Sequence, residues 1–237
     1  MLNLIRLAVV GILCVLPAQA YANDLLPESH TRTGILLDAK WKQQVYAFAE
    51  KNVHHSIWGL AHSERNYQVA MKLALLEKLS VDSDVLFVAA FLHDIGAIEP
   101  FRAKGVEHAT RSVQVVEPLL KSYGLSEEKI AKIREAILGH MYDADLAPKG
   151  NEAIVFHDAD TLDFLGSIGL VRIVGLTDRH DWAPNLPGAI ITLRTWSKVL
   201  PQKLITASAK RMAKERIVEM TRIMDSLAPY TFSETVL

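Results

Sequence analysis

Apolar residues recur at helical spacing along most of this chain. From Asp38 to Val53, Trp41, Val45, Phe48 and Ala49 fall on one face, and Asp38 is placed to cap the first turn. Leu60 to Leu79 repeats the period through Ala61, Val69, Ala70, Leu73 and Leu76. Residues 82–95 open with Asp82 and Asp84, continue through Val85, Leu86, Val88, Ala89 and Leu92, and stop at Gly96. Further helices are predicted over 107–123, closed by Gly124, and over 126–141, opened by Ser126, Glu127 and Glu128. Another spans 151–166 and carries His157, Asp158, Asp160 and Asp163. The stretch 181–188, rich in Pro and Gly, reads as a long loop; helices over 188–199 and 202–227 follow, the second basic on its outer face. No segment shows convincing strand alternation and no repeat is visible. The prediction is an all-α, single-domain helical bundle.

The two ends read differently. Arg6 precedes a continuous apolar run from Leu7 to Leu16, and Ala20-Tyr21-Ala22 places small residues where a signal peptidase cuts. Residues 1–22 therefore read as a signal peptide, too short in its apolar part to span a bilayer, where roughly 20 residues are needed. Residues 23–37 form a lead-in containing Pro27, 38–227 the folded domain, and 228–237 a tail. The expectation is a periplasmic or secreted protein, cut after Ala22, with no membrane contact once cut. The one cysteine, Cys14, lies in the leader. The mature chain would then hold no disulfide and no thiolate metal ligand.

The 237 residues are 50% apolar with a formal net charge of −1, enough for one sizeable core. Such a balance supplies no basic surface, and nucleic acid is not an expected partner.

The chemistry concentrates at His93-Asp94, within Ala-Ala-Phe-Leu-His-Asp-Ile-Gly. An imidazole and a carboxylate beside Leu92 and Ile95 are desolvated at a cost of roughly several kcal/mol unless something compensates. The Asp94 charge at a helix C-terminus also opposes the helix dipole. A divalent cation answers both. His62 upstream and Asp160 downstream complete two imidazoles and two carboxylates, a mixed shell suited to Mn, Fe, Ni, Co or Zn.

In this order and at these separations, His62, His93-Asp94 and Asp160 resemble the HD-domain superfamily of metal-dependent phosphohydrolases. Asp160 is preferred to Asp158 because the superfamily's last motif reads Ala-Asp-x-Leu, here Ala159-Asp160-Thr161-Leu162. Asp158 to Gly169 with Leu-Val-Arg172, and Leu200-Pro201 through Lys214-Glu215-Arg216, are similar to one bacterial subgroup of small HD hydrolases. The resemblance covers about residues 38–227. It departs at Ala97, where relatives sometimes carry lysine or an acid, and in the export signal.

The resemblance implies a helical HD-type bundle with His62, His93, Asp94 and Asp160 as metal ligands for one ion, or for two. Asp94 would also orient water, and Asp158, His108 and His140 would serve proton transfer or support the ligands. Arg65, one turn after His62, and Arg172 could grip phosphate oxygens through a bidentate fork. His30, His54, His55 and His180 have no identifiable partner in the sequence. The expected activity is hydrolysis of a phosphoester or phosphoanhydride of a nucleotide or other small phosphate compound, outside the cytoplasm. Two alternatives stand beside it: a di-iron HD-type oxygenase, and a non-catalytic exported metal-binding or sensor module. Oligomeric state is not legible.

Overall fold

One helix of the molecule is apolar on every side. In α3 (Ser83–Leu92) all eight residues from Val85 to Leu92 are buried, as expected of a helix with no polar stripe. Four other helices pack around it. The structure, a computed structural model, describes residues 29–143 and 147–231. The predicted leader, the first part of the lead-in and the end of the tail lie outside those residues.

The described chain is all-α, as the periodicity predicts. Its helices are α1 (Lys40–Asn52), α2 (Leu60–Glu77), α3, α4 (His108–Ser122), α5 (Glu127–Leu138) and α6 (Asn151–Leu162). They are followed by α7 (Gly166–Val174), α8 (Leu186–Lys203) and α9 (Ala207–Asp225). α3 packs against α1, α2, α5 and α6; α2 lies along α6, and α7, α8 and α9 close the other end. No described helix is long and apolar enough to cross a membrane.

Local signals were read well where a side chain acts on its own helix. Ser126 accepts from the Lys129 amide at the start of α5, and Gly124 (φ 82°) ends α4 in the left-handed region that glycine adopts without strain. Three boundaries differ. Asp38 does not cap α1; its carboxylate pairs with Lys42 instead. The predicted helix 151–166 stops at Leu162, and a separate helix, α7, follows a short turn. α8 runs through Pro201 to Lys203, and the break falls at residues 204–206, where Thr206 caps α9.

The lead-in also forms something that sequence did not predict. Ser29–His30 pairs antiparallel with Leu36–Leu37 in a two-stranded hairpin. Buried Glu64 on α2 holds its turn, accepting from Thr31 Oγ1 at 2.8 Å and from the Thr33 amide at 2.9 Å. Its short strands carry too few residues for an alternation to show.

Candidate metal centre

The site forms where α2, the end of α3, the start of α4, the end of α5 and α6 meet. His62 enters from the first turn of α2, and His93 caps α3. Asp94 begins a 3-10 turn over Ile95–Ala97 that crosses the first turn of α4. The crossing depends on Gly96. A Cβ there would come within 2.5 Å of the Ser112 amide nitrogen and collide with the His108 backbone, while the Gly96 amide donates to Ser112 Oγ at 2.9 Å. The missing side chain thus lets Asp94 approach His108.

Four imidazoles converge with one common polarity. His62 Nδ1 lies 2.7 Å from Asp163 Oδ2, and His140 Nδ1 lies 2.6 Å from the Ile137 carbonyl. His93 Nδ1 faces the Ala89 and Ala90 carbonyls at 3.1 and 3.2 Å, and His108 Nδ1 lies 2.9 Å from Glu107 Oε1. Each Nδ1 meets an acceptor and so carries a proton, which leaves each Nε2 facing inward with a lone pair to offer in the neutral ring. All four Nε2 atoms approach the Asp94 carboxylate. His93 and His62 lie 3.2 and 3.8 Å from Oδ2, while His108 and His140 lie 3.4 and 3.8 Å from Oδ1. Asp160 Oδ1 completes the inner group, 3.1 Å from His62 Nε2 and 3.8 Å from His93 Nε2.

Lone pairs and carboxylates so arranged repel one another unless a cation lies among them. His93 Nε2 is buried and makes no hydrogen bond, and the His108 and His140 Nε2 atoms face each other at 3.3 Å. A buried nitrogen without a partner is costly, and a metal supplies what is missing. Among the described residues, two groups have ligand-capable atoms in mutual reach: His62, His93 and Asp94, and Asp94, His108 and His140. Asp94 belongs to both. The donor set of imidazole and carboxylate fits a divalent transition metal.

Without a metal, a second proton on His93 takes the place of the cation. Burial disfavours charge on His93, but Asp94 and Asp160 beside it outweigh burial and push its pKa up to about 9. Burial moves His140 the other way, and charge on His93 adds to that, leaving its pKa at about 4. Burial raises the Asp94 and Asp160 carboxyls, yet the neighbouring imidazoles hold both well below the usual range.

The structure brings His62, His93, Asp94, Asp160, His108 and His140 together, and all but the buried His93 line one pocket. Three other expected residues are held by protein partners instead. Asp158 is fully buried and accepts from the Ile205 amide at 2.8 Å and from the Thr206 amide and hydroxyl, each at 2.7 Å. It ties α6 to the start of α9 and does not serve proton transfer. Arg65 does not offer its fork to phosphate: its Nε and a terminal nitrogen grip Asp163 at 2.8 and 2.7 Å. Arg172 borders the pocket but is buried, bound to the Ile57 carbonyl and to both the carbonyl and carboxylate of Asp163. Asp163 therefore consumes both arginines.

Asp163 and Asn66 are the members that sequence reasoning missed. Asn66 Nδ2 donates to Asp160 Oδ1 at 2.8 Å from one turn beyond His62. The spacing of Asn66 from His62, four residues on one helix, is a readable signal; that of Asp163 from Asp160, three residues, is another. His55 and His180, without partners in the sequence, prove to meet tryptophans: His55 stacks on Trp58 with ring centroids 3.7 Å apart, and His180 lies tilted against Trp182 at 4.5 Å.

Comparison with known proteins agrees with this placement. Residues 59–165 match the HD domain family. A protein of Clostridium beijerinckii that carries no functional name is 32% identical over 73 residues, 31% of this chain and 46% of that protein. This chain thus spans about half the length of that relative. Bacillus subtilis YpgQ, solved in complex with ADP, superposes with a TM-score of 0.58 at 21% identity, over 79% of this chain and 96% of YpgQ. An HD-superfamily hydrolase of Bacillus thuringiensis gives a TM-score of 0.56 at 21% identity, over 81% of this chain and 95% of its own. At such identities the likeness is one of fold. Residues 59–165, holding His62, His93, Asp94, Asp160 and both additional histidines, match the HD domain family, and the helical fold is similar to that of solved HD-superfamily hydrolases.

Proposed function

We propose that this chain is a metal-dependent phosphohydrolase that cleaves a phosphoester or phosphoanhydride of a small phosphate compound. One observation carries the reading: the His93 Nε2 atom is buried and unpartnered, among carboxylates and three further imidazoles that turn Nε2 the same way. His62, His93, Asp94 and Asp160 would hold one divalent ion, and Asp94, His108 and His140 a second. A divalent ion bound here lowers the pKa of water and polarises a P–O bond.

The chain's own groups do the remainder. Asp163 and the Ile137 carbonyl fix the rings of His62 and His140, so neither must reorient to bind. Asp94 stays ionised between two pairs of imidazoles and orients water by accepting its proton. His108, 31% exposed, is the most open of the four rings and can take or return a proton at Nε2 where a single ion is bound. ADP in the YpgQ complex supports a phosphate compound as the substrate class. The signal-like residues 1–22 support action outside the cytoplasm.

Purified protein stripped of metal and reloaded with Mn, Fe, Ni, Co or Zn, then offered a panel of nucleotides and phosphomonoesters, tests the proposal. Phosphate release that depends on the metal is the expected result; full metal loading without phosphate release across the panel contradicts it. The paired groups around Asp94 also suit two irons, and that second reading predicts oxygen uptake by the iron-loaded protein.

A further inference from the structure

The pocket over the metal centre is walled by rings and nearly bare of cations. Trp58, His180, Trp182, Phe164 and Tyr142 line it together with the ligands, in a cavity of about 180 Å³. The wall is firmly built. Trp58 stacks on His55 with planes 10° apart, and Trp182 packs edge-on against Phe164 and Trp196 with centroids 5.7 and 5.0 Å apart. The Trp182 carbonyl accepts from Thr192 Oγ1 at 2.6 Å, and its amide donates to His180 Nδ1 at 3.2 Å. With Nδ1 accepting, His180 carries its proton on Nε2, so this ring adds a donor to the wall.

The charges lining the pocket are of the wrong kind for a polyphosphate. Asp94, Asp160 and Asp143 line it, no lysine does among the described residues, and the one guanidinium, Arg172, is held by Asp163. Sites that take several phosphate groups present free arginine forks or lysines. The volume is also below the roughly 300–1,000 Å³ of pockets that enclose drug-sized ligands.

We propose that the pocket selects a monophosphate ester whose alcohol carries a single flat aromatic ring, with Trp58 and Trp182 receiving the ring. This rests on the phosphohydrolase reading and narrows it. A metal held by His62, His93, Asp94 and Asp160 would receive the phosphoryl group; water forms the new P–O bond as the bond to the alcohol oxygen breaks, and the alcohol leaves with the proton. A flat ring presents its face or edge to the indoles, and burial together with ring–ring contact favours it over an alkyl chain.

The test compares 2-phenylethyl phosphate with n-propyl phosphate, whose alcohols are of similar acidity, on Mn-loaded protein, with adenosine triphosphate alongside. The expected kcat/KM for the aryl ester is about tenfold higher than for the propyl ester, carried in KM, with the triphosphate poorest. In Trp58→Leu the ratio of aryl to propyl falls towards one, and in Trp58→Phe most of it returns. Equal kcat/KM for the two esters, a Trp58→Leu ratio that matches wild type, or preference for the triphosphate overturns the inference. Calorimetric binding of benzylphosphonate and propylphosphonate, neither of them hydrolysable, separates the two proposals. If neither ester is cleaved while benzylphosphonate binds about tenfold tighter and loses that advantage in Trp58→Leu, the aromatic wall stands and the hydrolase reading falls.

Discussion

His62 Nδ1 and Asp163 Oδ2 lie 2.7 Å apart, joining a metal-facing ring on α2 to the C-terminal cap of α6. Asp163 is buried, which would raise its pKa, but Arg65, His62 and Arg172 hold the carboxyl well below the usual range. The contact fixes the proton on Nδ1 and so leaves Nε2 free to bind a metal.

Asp163→Asn therefore has two effects. The His62 ring loses its anionic anchor, and metal affinity falls about 10- to 100-fold. The buried Arg172 loses its counter-charge, and stability falls by about 3–5 kcal/mol. Metal titration of the folded variant checks the first and chemical denaturation the second. Unchanged affinity would show that Asp163 acts on stability alone.

Gly96→Ala tests the close crossing that brings Asp94 to His108. An added methyl must push the 3-10 turn off the first turn of α4, at a cost of about 1–3 kcal/mol. The shift separates Asp94 from His108 more than from His93, its chain neighbour. The expected variant is less stable and loses metal from the His108–His140 group while retaining the ion at His62 and His93. Metal analysis per folded chain decides the matter.

The pH dependence has a definite sign. In metal-free protein His93 has its pKa raised from 6.5 to about 9, so folding favours its protonated form. That stabilisation is fully present below about pH 6.5 and is lost as pH rises through about 9. Metal-free protein should therefore lose thermal stability between those values. Metal loading displaces the proton from His93 and should remove this contribution. Calorimetry in buffers of different ionisation enthalpy should detect a proton released as metal binds near neutral pH.

Asp158→Ala separates structure from chemistry at the neighbouring carboxylate. It leaves the Ile205 and Thr206 amides without their acceptor at the start of α9, and the buried Thr206 amide alone is worth about 1–3 kcal/mol. The variant should unfold at lower temperature yet hold as much metal per folded chain as wild type. Loss of metal at full stability would return Asp158 to the site.

Periodicity and caps made the helices legible, because each such signal acts within its own segment. α7 escaped because the helix predicted over 151–166 runs through the turn at residues 163–165, and the pattern predicts no helix between it and the loop at 181–188. At the site, residue type and order pointed to His62, His93-Asp94 and Asp160, and the additional histidines stood out by kind. The roles of Arg65, Arg172 and Asp158 were not legible. An arginine one turn from a ligand suits a phosphate or a carboxylate equally, and only the fold shows that Asp163 lies within reach of both arginines. The aromatic wall was hidden for a similar reason. Trp58 and His180 are more than a hundred residues apart in sequence, and their rings meet only when α7 and the loop before α8 fold back.

Asp94 is the residue on which both ligand groups depend, and metal stoichiometry in wild type and Asp94→Ala tests the account most directly. After stripping and reloading with Mn, wild type should retain bound metal through extensive dialysis, and Asp94→Ala, shown to be folded by circular dichroism, should retain none. Retention of the full wild-type complement by Asp94→Ala would contradict the account.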